Sequence, residues 1–250
     1  MRLGALLGPV DPTHPNGLAT QARQLEGEGY DSLWSAQAMG RGFMVTDPFI
    51  ALTAAAVATD HVELGTGILQ LSLYEPVDVA LKSFSLMQVA GGRLLLGVGA
   101  GSTEVDHEIH GSEFSHRFKA FSEKLALLRG WFNDGAQNGK SISPWPDVEG
   151  GPKLGYGTWD KGVKRAAEDF DFWIASGMHR SVEDLEQIIP DYREAGGARA
   201  VVSTIIVSGE TDVGELGETL SRYAAAGFDD AVVMFIPGAP APSEIRKLVS

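Results

Sequence analysis

Cysteine is absent from this 250-residue chain, which removes disulfides, thiolate nucleophiles and Cys-type zinc sites from consideration. Uninterrupted apolar runs are short, and none reaches the roughly 18 residues that a membrane span needs. Basic residues are outnumbered, 20 Lys and Arg against 33 Asp and Glu, and the net charge of -13 argues against nonspecific binding to nucleic acid or anionic lipid. The expected partner of such a soluble, acidic chain is a small molecule, with neither nucleic acid nor membrane as a ligand. The first residues lack the basic, apolar and small-residue blocks of a secretory leader, so the expected location is the cytoplasm. No repeat, linker or composition break divides the sequence, and 250 residues suit one α/β barrel, so a single domain over residues 1–250 is expected.

Glycine, by contrast, is plentiful and patterned. In Gly91-Gly92-Arg93-Leu94-Leu95-Leu96-Gly97-Val98-Gly99-Ala100-Gly101-Ser102, a short apolar run bounded by glycines reads as a fully buried strand of a parallel sheet. Glycines 97, 99 and 101 remove side chains at its carboxyl end, so that a flat ring or a phosphate could approach the backbone. The competing reading is a bulge, or tight packing against a neighbouring element.

The remaining elements fall in order around that strand. Arg2 to Gly8 has strand length and ends in the turn-rich Gly8-Pro9-Val10-Asp11-Pro12. Leu18, Ala22 and Leu25 have helical spacing that stops at Gly27 or Gly29, and Asp31 to Ser35 is a second strand. Asp47-Pro48 supplies the cap and first turn of a helix running to Thr59, Val62 to Leu69 is a third strand, and Glu75-Pro76 opens a helix to about Ala90. Residues 102–115 read as a long active-site loop or a short helix, Phe118 to Phe132 as a helix, and residues 133–151 as loop. Pro152 to Gly157, Asp171 to Ala175, Ala200 to Val207 and Ala231 to Ile236 complete eight strands, with helical periodicity after each. Eight strands alternating with helices predict an α/β fold, a single (β/α)8 TIM barrel. A doubly wound open sheet is the rival, but its glycine-rich dinucleotide turn usually follows the first strand, not the fourth.

Several motifs for chemistry fail on inspection. Gly97-Val98-Gly99-Ala100-Gly101-Ser102 puts Ser where a dinucleotide fingerprint needs its third Gly. His107-Glu108-Ile109-His110 has the wrong spacing for a zincin; an i,i+3 pair could bind metal only with a third ligand such as Glu104 or Glu113, so no metal is expected. No GxSxG elbow is present. Three turns are more informative. Gly65-Thr66-Gly67-Ile68-Leu69-Gln70 places small residues near the end of strand three, which suits close approach of a ligand. Gly155-Tyr156-Gly157-Thr158-Trp159 opens a helix whose amides, with the Thr158 hydroxyl, could receive a phosphate, assisted by Ser176-Gly177-Met178-His179. Each of these has an ordinary βα turn as its alternative; their convergence on one barrel face is the argument for a site.

Taken together, these residues resemble the bacterial luciferase-like superfamily of flavin- and deazaflavin (F420)-dependent oxidoreductases. The resemblance runs through Gly29-Tyr30-Asp31-Ser32-Leu33-Trp34, Asp47-Pro48-Phe49, Val62-Glu63-Leu64-Gly65-Thr66-Gly67-Ile68, Ser85-Leu86-Met87-Gln88, the strand-four stretch, Lys164-Arg165-Ala166-Ala167 and Asp171-Phe172-Trp173-Ile174. It implies a ring at the carboxyl ends of the strands, backed by a non-prolyl cis peptide that would fall at Gly67-Ile68. It further implies cofactor contacts from Thr66, Gly67 and Ile68, contacts to the ring or its side chain from Gly99, Ala100, Gly101 and Ser102, and a phosphate held by Gly157, Thr158, Trp159 and Lys161. Family members often form dimers, so a homodimer is also implied.

Two departures from the family shape the expected chemistry. Where the family commonly has an acidic residue and then a histidine, this chain has Ala36-Gln37. Glutamine can hydrogen-bond a ring or substrate but cannot act as a general acid or base. Some F420-type members are similar in carrying Ala-Gln there, which favours F420 over FMN. Gly101-Ser102 stands where many F420 members carry Gly-Glu as proton donor, so a proton would have to come from Tyr74, His107, His110 or water. The expected function is therefore F420-dependent hydride transfer to a small organic substrate, with Gln37 as the catalytic residue. The alternatives are an FMN-dependent monooxygenase and a noncatalytic flavin-binding protein of the same fold.

Overall fold

Eight parallel strands close on one another in the computed structural model, which describes residues 1–8 and 16–249. The strands are β1 (Arg2–Leu6), β2 (Ser32–Ser35), β3 (Glu63–Gln70), β4 (Leu94–Gly99), β5 (Lys153–Gly157), β6 (Phe172–Ser176), β7 (Ala200–Val207) and β8 (Asp230–Phe235). Round the barrel the order is β1-β8-β7-β6-β5-β4-β3-β2, with closure between β1 and β8. This is the TIM barrel that the alternating pattern predicts. Outside it run α1 (Gly17–Gly27), α2 (Pro48–Ala56), α3 (Pro76–Ala90), α4 (Glu104–Ile109), α5 (Arg117–Asp134), α6 (Gly162–Asp169), α7 (Val182–Glu194), α8 (Val213–Ala226) and α9 (Pro242–Arg246). The turn expected from Gly8 to Pro12 lies, from Pro9 onward, outside the described residues.

Local chemistry sets the helix starts. The Asp47 carboxylate accepts from the amides of Phe49 and Ile50, and Pro48 and Pro76 occupy first-turn positions where an amide hydrogen is not needed. Ser181 and Asp184 form a reciprocal capping box on α7, and Asp212 caps α8. Residues 133–151 are not all loop. Ala136–Gln137 and Lys140–Ser141 pair as a small antiparallel hairpin, because Asn138 and Gly139 both take positive φ, 51° and 72°, as a tight two-residue turn requires. Residues 102–115 resolve into α4 and a turn of 3-10 helix at Phe114–His116.

Two apolar layers hold the barrel. The larger lies between strands and helices; the smaller fills the barrel itself with Leu6, Trp34, Leu95, Phe172, Ile174, Val201 and Val232. Trp34 is the largest of these plugs. The missing side chains of Gly4 and Gly65 make its space, since a Cβ on Gly65 would sit 2.3 Å from Trp34 Cε3, and its indole N–H donates to Ser32 Oγ at 2.8 Å. Burying an indole of roughly 200 Å² contributes on the order of 5 kcal/mol. At the amino-terminal rim, Arg199 bridges Glu63 and the fully buried Asp230, at 2.8 and 2.7 Å.

The ladder breaks register twice. Thr66 pairs with Leu96 but Leu69 with Val98, so β3 carries one extra residue at Gly67-Ile68, where the peptide bond is cis. Likewise Val202 pairs with Ala231 but Ile205 with Val233, so β7 carries an extra residue at Ser203-Thr204. Bulges of this kind re-aim side chains at barrel rims.

Candidate active site at the carboxyl rim

Because every barrel strand is parallel, the turns after residues 67, 100 and 158 open on one rim. The floor of that rim is apolar: half-buried Ala36, Ile68 and Met234 cap the packing of the barrel interior. Of these three the sequence singles out Ile68 and, as the neighbour of Gln37, Ala36. Met234 is a flexible apolar residue at a strand end, a signal too common to stand out. Two clefts, of about 470 and 370 Å³, lie instead toward the other end of the barrel, one beside Arg129, Leu154 and Asp171 and the other beside Glu63, Arg93 and Lys153.

The glycines at the strand ends have a different immediate cause from the one their pattern suggests. The Ile68 side chain fills the space that Gly99 and Gly157 leave, since Cβ atoms there would lie 2.4 Å from Ile68 Cδ1 and 2.5 Å from Ile68 Cγ2. At Gly97 the space is taken by the Thr66 carbonyl and Ile174, and at Gly101 by the Gln70 amide oxygen. These clearances are therefore met by protein atoms, and Ile68 is the surface they present. Thr66 is fully buried, and its hydroxyl donates to the Gly97 carbonyl at 2.7 Å, tying β3 to β4. Ala100 is buried too, its carbonyl accepting from Ser72 Oγ at 2.8 Å, whereas Gly67 and Gly101 are half-buried and Ser102 is exposed.

Gln37 stands on the rim directly after β2 with one half of its amide committed. Its side-chain oxygen accepts from the Gln70 backbone N–H at 2.9 Å, and its own backbone N–H donates to Ile68 at 3.2 Å. With the oxygen engaged, the side chain has N–H donors to offer. The Gln70 side chain in turn donates to Asp106 at 2.6 Å. Asp106 is 1% exposed and also receives both Arg41 guanidinium nitrogens, at 2.8 and 3.0 Å, and the Met39 amide. Burial alone would raise the Asp106 carboxyl, but Arg41, Gln70 and Met39 outweigh it and hold it below the ordinary range. This network, centred on an acidic residue that sequence alone gives no role, pins the segment after β2 to α4.

The proton sources named from sequence differ in setting, and of them His107 Nε2 stands beside Gly101, 3.2 Å from where its Cβ would be. His107 is buried with Nδ1 on Ser112 Oγ at 3.1 Å, and His110 is exposed. Burial, reinforced by the Asp47 carboxylate, pushes the Tyr74 phenol up to about 12, which leaves it protonated and weakly acidic at neutral pH. Among the described residues no group of His, Asp and Glu side chains is arranged to hold a metal ion.

The phosphate-type turn is organised around the start of α6. Thr158 packs against Gly162, where a Cβ would meet its hydroxyl, and its carbonyl accepts from the Trp173 indole at 3.0 Å. Trp159 is half-buried and Lys161 exposed. Arg180, which the sequence reading passes over, stacks on Trp159 with its guanidinium carbon 4.5 Å from the ring centroid. A cation therefore stands beside a helix start that has no side-chain cap of its own.

Comparison with known proteins agrees with this architecture. The chain is 31% identical over 132 residues to the 4-hydroxyprotoasukamycin monooxygenase of Streptomyces nodosus subsp. asukaensis, a match taking in 50% of this chain and 36% of that one. The aligned region thus spans about a third of the length of the curated relatives it matches first. Among solved structures, the monooxygenase RslO1 from Streptomyces bottropensis superposes with a TM-score of 0.80 at 16% identity, covering 99% of this chain and 96% of that one. The coenzyme F420-dependent tetrahydromethanopterin reductase from Methanopyrus kandleri does so with a TM-score of 0.77 at 15% identity, covering 99% and 96%. At these identities the structures establish the fold. The profile of the luciferase-like monooxygenases matches residues 4–234, and the chain belongs to that family of oxidoreductases.

Proposed function

We propose that the protein is an F420-dependent oxidoreductase that passes a hydride between the deazaflavin and a small organic substrate. The observation that carries this reading is the state of Gln37: a neutral amide at the rim, its oxygen held by the Gln70 N–H, offering donors but no titratable proton. A residue of this kind can orient an acceptor oxygen, and it suits a reaction that asks the protein for orientation more than for acid or base. The apolar floor of Ala36, Ile68 and Met234 fits one face of a planar ring and excludes water beneath it. The start of α6 with Arg180 and Lys161 fits an anionic tail, as the phosphate-bearing side chain of either cofactor would need. When bound, the deazaflavin would supply a two-electron hydride and the protein would fix its distance from the acceptor. Support also comes from the shared fold of the F420-dependent reductase.

The runner-up is an FMN-dependent monooxygenase, favoured by the similarity to the 4-hydroxyprotoasukamycin monooxygenase and by the dry floor that a reduced flavin requires. Side-by-side fluorescence titration with F420 and FMN separates the two. Saturable F420 binding is expected, and saturable FMN binding with none of F420 would reverse the order. Turnover over a panel of enones and nitro compounds tests the noncatalytic alternative: activity that Gln37→Ala abolishes while cofactor binding persists would reject it.

A further inference from the structure

The bulge in β7 stands directly across the barrel from the bulge in β3, because the two strands are four places apart in either direction round the closed sheet. Along β7, Val201 points into the barrel, while Val202 and Ile205 belong to the layer between strands and helices. The extra residue between them lets two successive side chains, Ser203 and Thr204, face the same way. Ser203 Oγ lies 3.3 Å from where a Cβ on Gly67 would be, and Thr204 Oγ1 lies 3.4 Å from Ser203 Oγ. Both hydroxyls therefore lie beside the Gly67-Ile68 segment, Ser203 buried at the level of the Trp34 ring, which the same Cβ would also meet at 3.3 Å, and Thr204 half-buried next to it.

Two further facts set this pair apart. Thr204 has φ of 65°, the left-handed region, inside a barrel strand; the other described non-glycine residues with positive φ, Asn138, Ser143 and Asp160, lie in turns and loops. A β-branched residue is strongly disfavoured there, and such a conformation persists only where the surroundings enforce it. The bulge is pinned from one side by the Gly177 amide, which donates to the Ser203 carbonyl at 2.7 Å. Ser203 is 2% exposed, yet its hydroxyl has only the long 3.4 Å contact to Thr204. Apart from that one long contact with each other, neither hydroxyl has a hydrogen-bond partner among the described residues, although the chain holds the pair in an unfavourable backbone. Half-buried Thr204 forms the accessible member.

We propose that Ser203 and Thr204 are ligand-binding residues that hydrogen-bond the polar edge of the planar cofactor, a pyrimidine-type edge of alternating carbonyl oxygens and N–H groups. Hydroxyls suit such an edge because each donates and accepts. The inference rests on the function proposed above and adds a recognition element to it.

The experiment is a fluorescence titration of F420 and of FMN with wild type, Thr204→Val, Thr204→Ser and Ser203→Ala, with thermal melting of the ligand-free proteins and of Thr204→Gly. Thr204→Val, which keeps the shape and loses the hydroxyl, should weaken binding of the preferred cofactor about fivefold to tenfold, as for one lost hydrogen bond, and Thr204→Ser should restore most of it. Thr204→Gly should melt higher than wild type without ligand, because glycine is at ease at this φ, yet bind more weakly. Wild-type binding with Thr204→Val and Ser203→Ala unchanged would overturn this inference and leave the proposed function standing. Failure of wild type to bind either cofactor would overturn both.

Discussion

Removing the Asp106 carboxylate should cost about 3 kcal/mol, and the figure follows from what surrounds it. The side chain is 1% exposed and accepts from Arg41, Gln70 and the Met39 amide. In Asp106→Ala the buried Gln70 amide loses its partner, at about 1–3 kcal/mol, and the Met39 N–H loses about 1 kcal/mol. Arg41 is 29% exposed on its side chain and can turn to water, so its share is small, about 0–1 kcal/mol. For a chain of this length each 1 kcal/mol lowers Tm by about 2–4 °C, so a drop of roughly 6–12 °C is expected in a thermal melt. Asp106→Asn should lose less, about 1 kcal/mol, because the Gln70 amide can flip and accept from the new Asn side chain. A Tm for Asp106→Ala within 2 °C of wild type would refute the reasoning, since the network would then carry no net stability.

The acid side of the stability curve gives an independent check. Burial would raise the Glu63 carboxyl, but Arg199 and Arg2 hold it below the ordinary range, as Arg41 does for Asp106. Their contribution is fully present above the unfolded carboxylate values, near pH 4, and is lost as pH falls through the lowered folded values. Urea midpoints should therefore fall on acidification, and less steeply in Arg199→Met, where Glu63 loses its strongest partner. At neutral pH Arg199→Met itself should cost about 3 kcal/mol, because it leaves the fully buried Asp230 with only its 3.7 Å ion pair to Arg2; a cost under 1 kcal/mol by urea denaturation would contradict this. Gly99→Ala should destabilise by about 1–3 kcal/mol, since the new methyl meets Ile68 Cδ1, and adding Ile68→Ala should recover part of that loss in a double-mutant cycle. Strictly additive effects would show that Ile68 does not occupy the space.

The barrel is legible because short apolar runs such as Leu94-Leu95-Leu96 and Ala200-Val201-Val202, bounded by turn formers and alternating with helical periodicity, have the length and setting of fully buried strands, and Asp47-Pro48 announces a helix start by the chemistry of its cap. The purpose of the glycines is less legible. A missing Cβ leaves the same trace whether a ring, Trp34 or Ile68 takes the space, and only coordinates show that Gly65 serves the indole and Gly99 the isoleucine. Asn138-Gly139 does carry a readable hairpin signal, submerged in a stretch rich in other turn formers. The β7 bulge is invisible in sequence, because Ala-Val-Val-Ser-Thr-Ile-Ile-Val reads as one even strand, and its extra residue shows only in the pairing with β8. The tie between Arg41 and Asp106 joins loop and helix across the rim, a contact that no local spacing encodes.

A planar redox cofactor resting on Ile68 at the carboxyl rim is the claim on which the account depends. A crystal structure of the protein soaked with F420, and in parallel with FMN, tests it most directly. Ring atoms are expected in van der Waals contact with Ile68, with hydrogen bonds from Gln37 and the anionic tail toward the start of α6. A cofactor seated instead in the clefts beside Arg93 and Lys153, or beside Arg129 and Asp171, would contradict it.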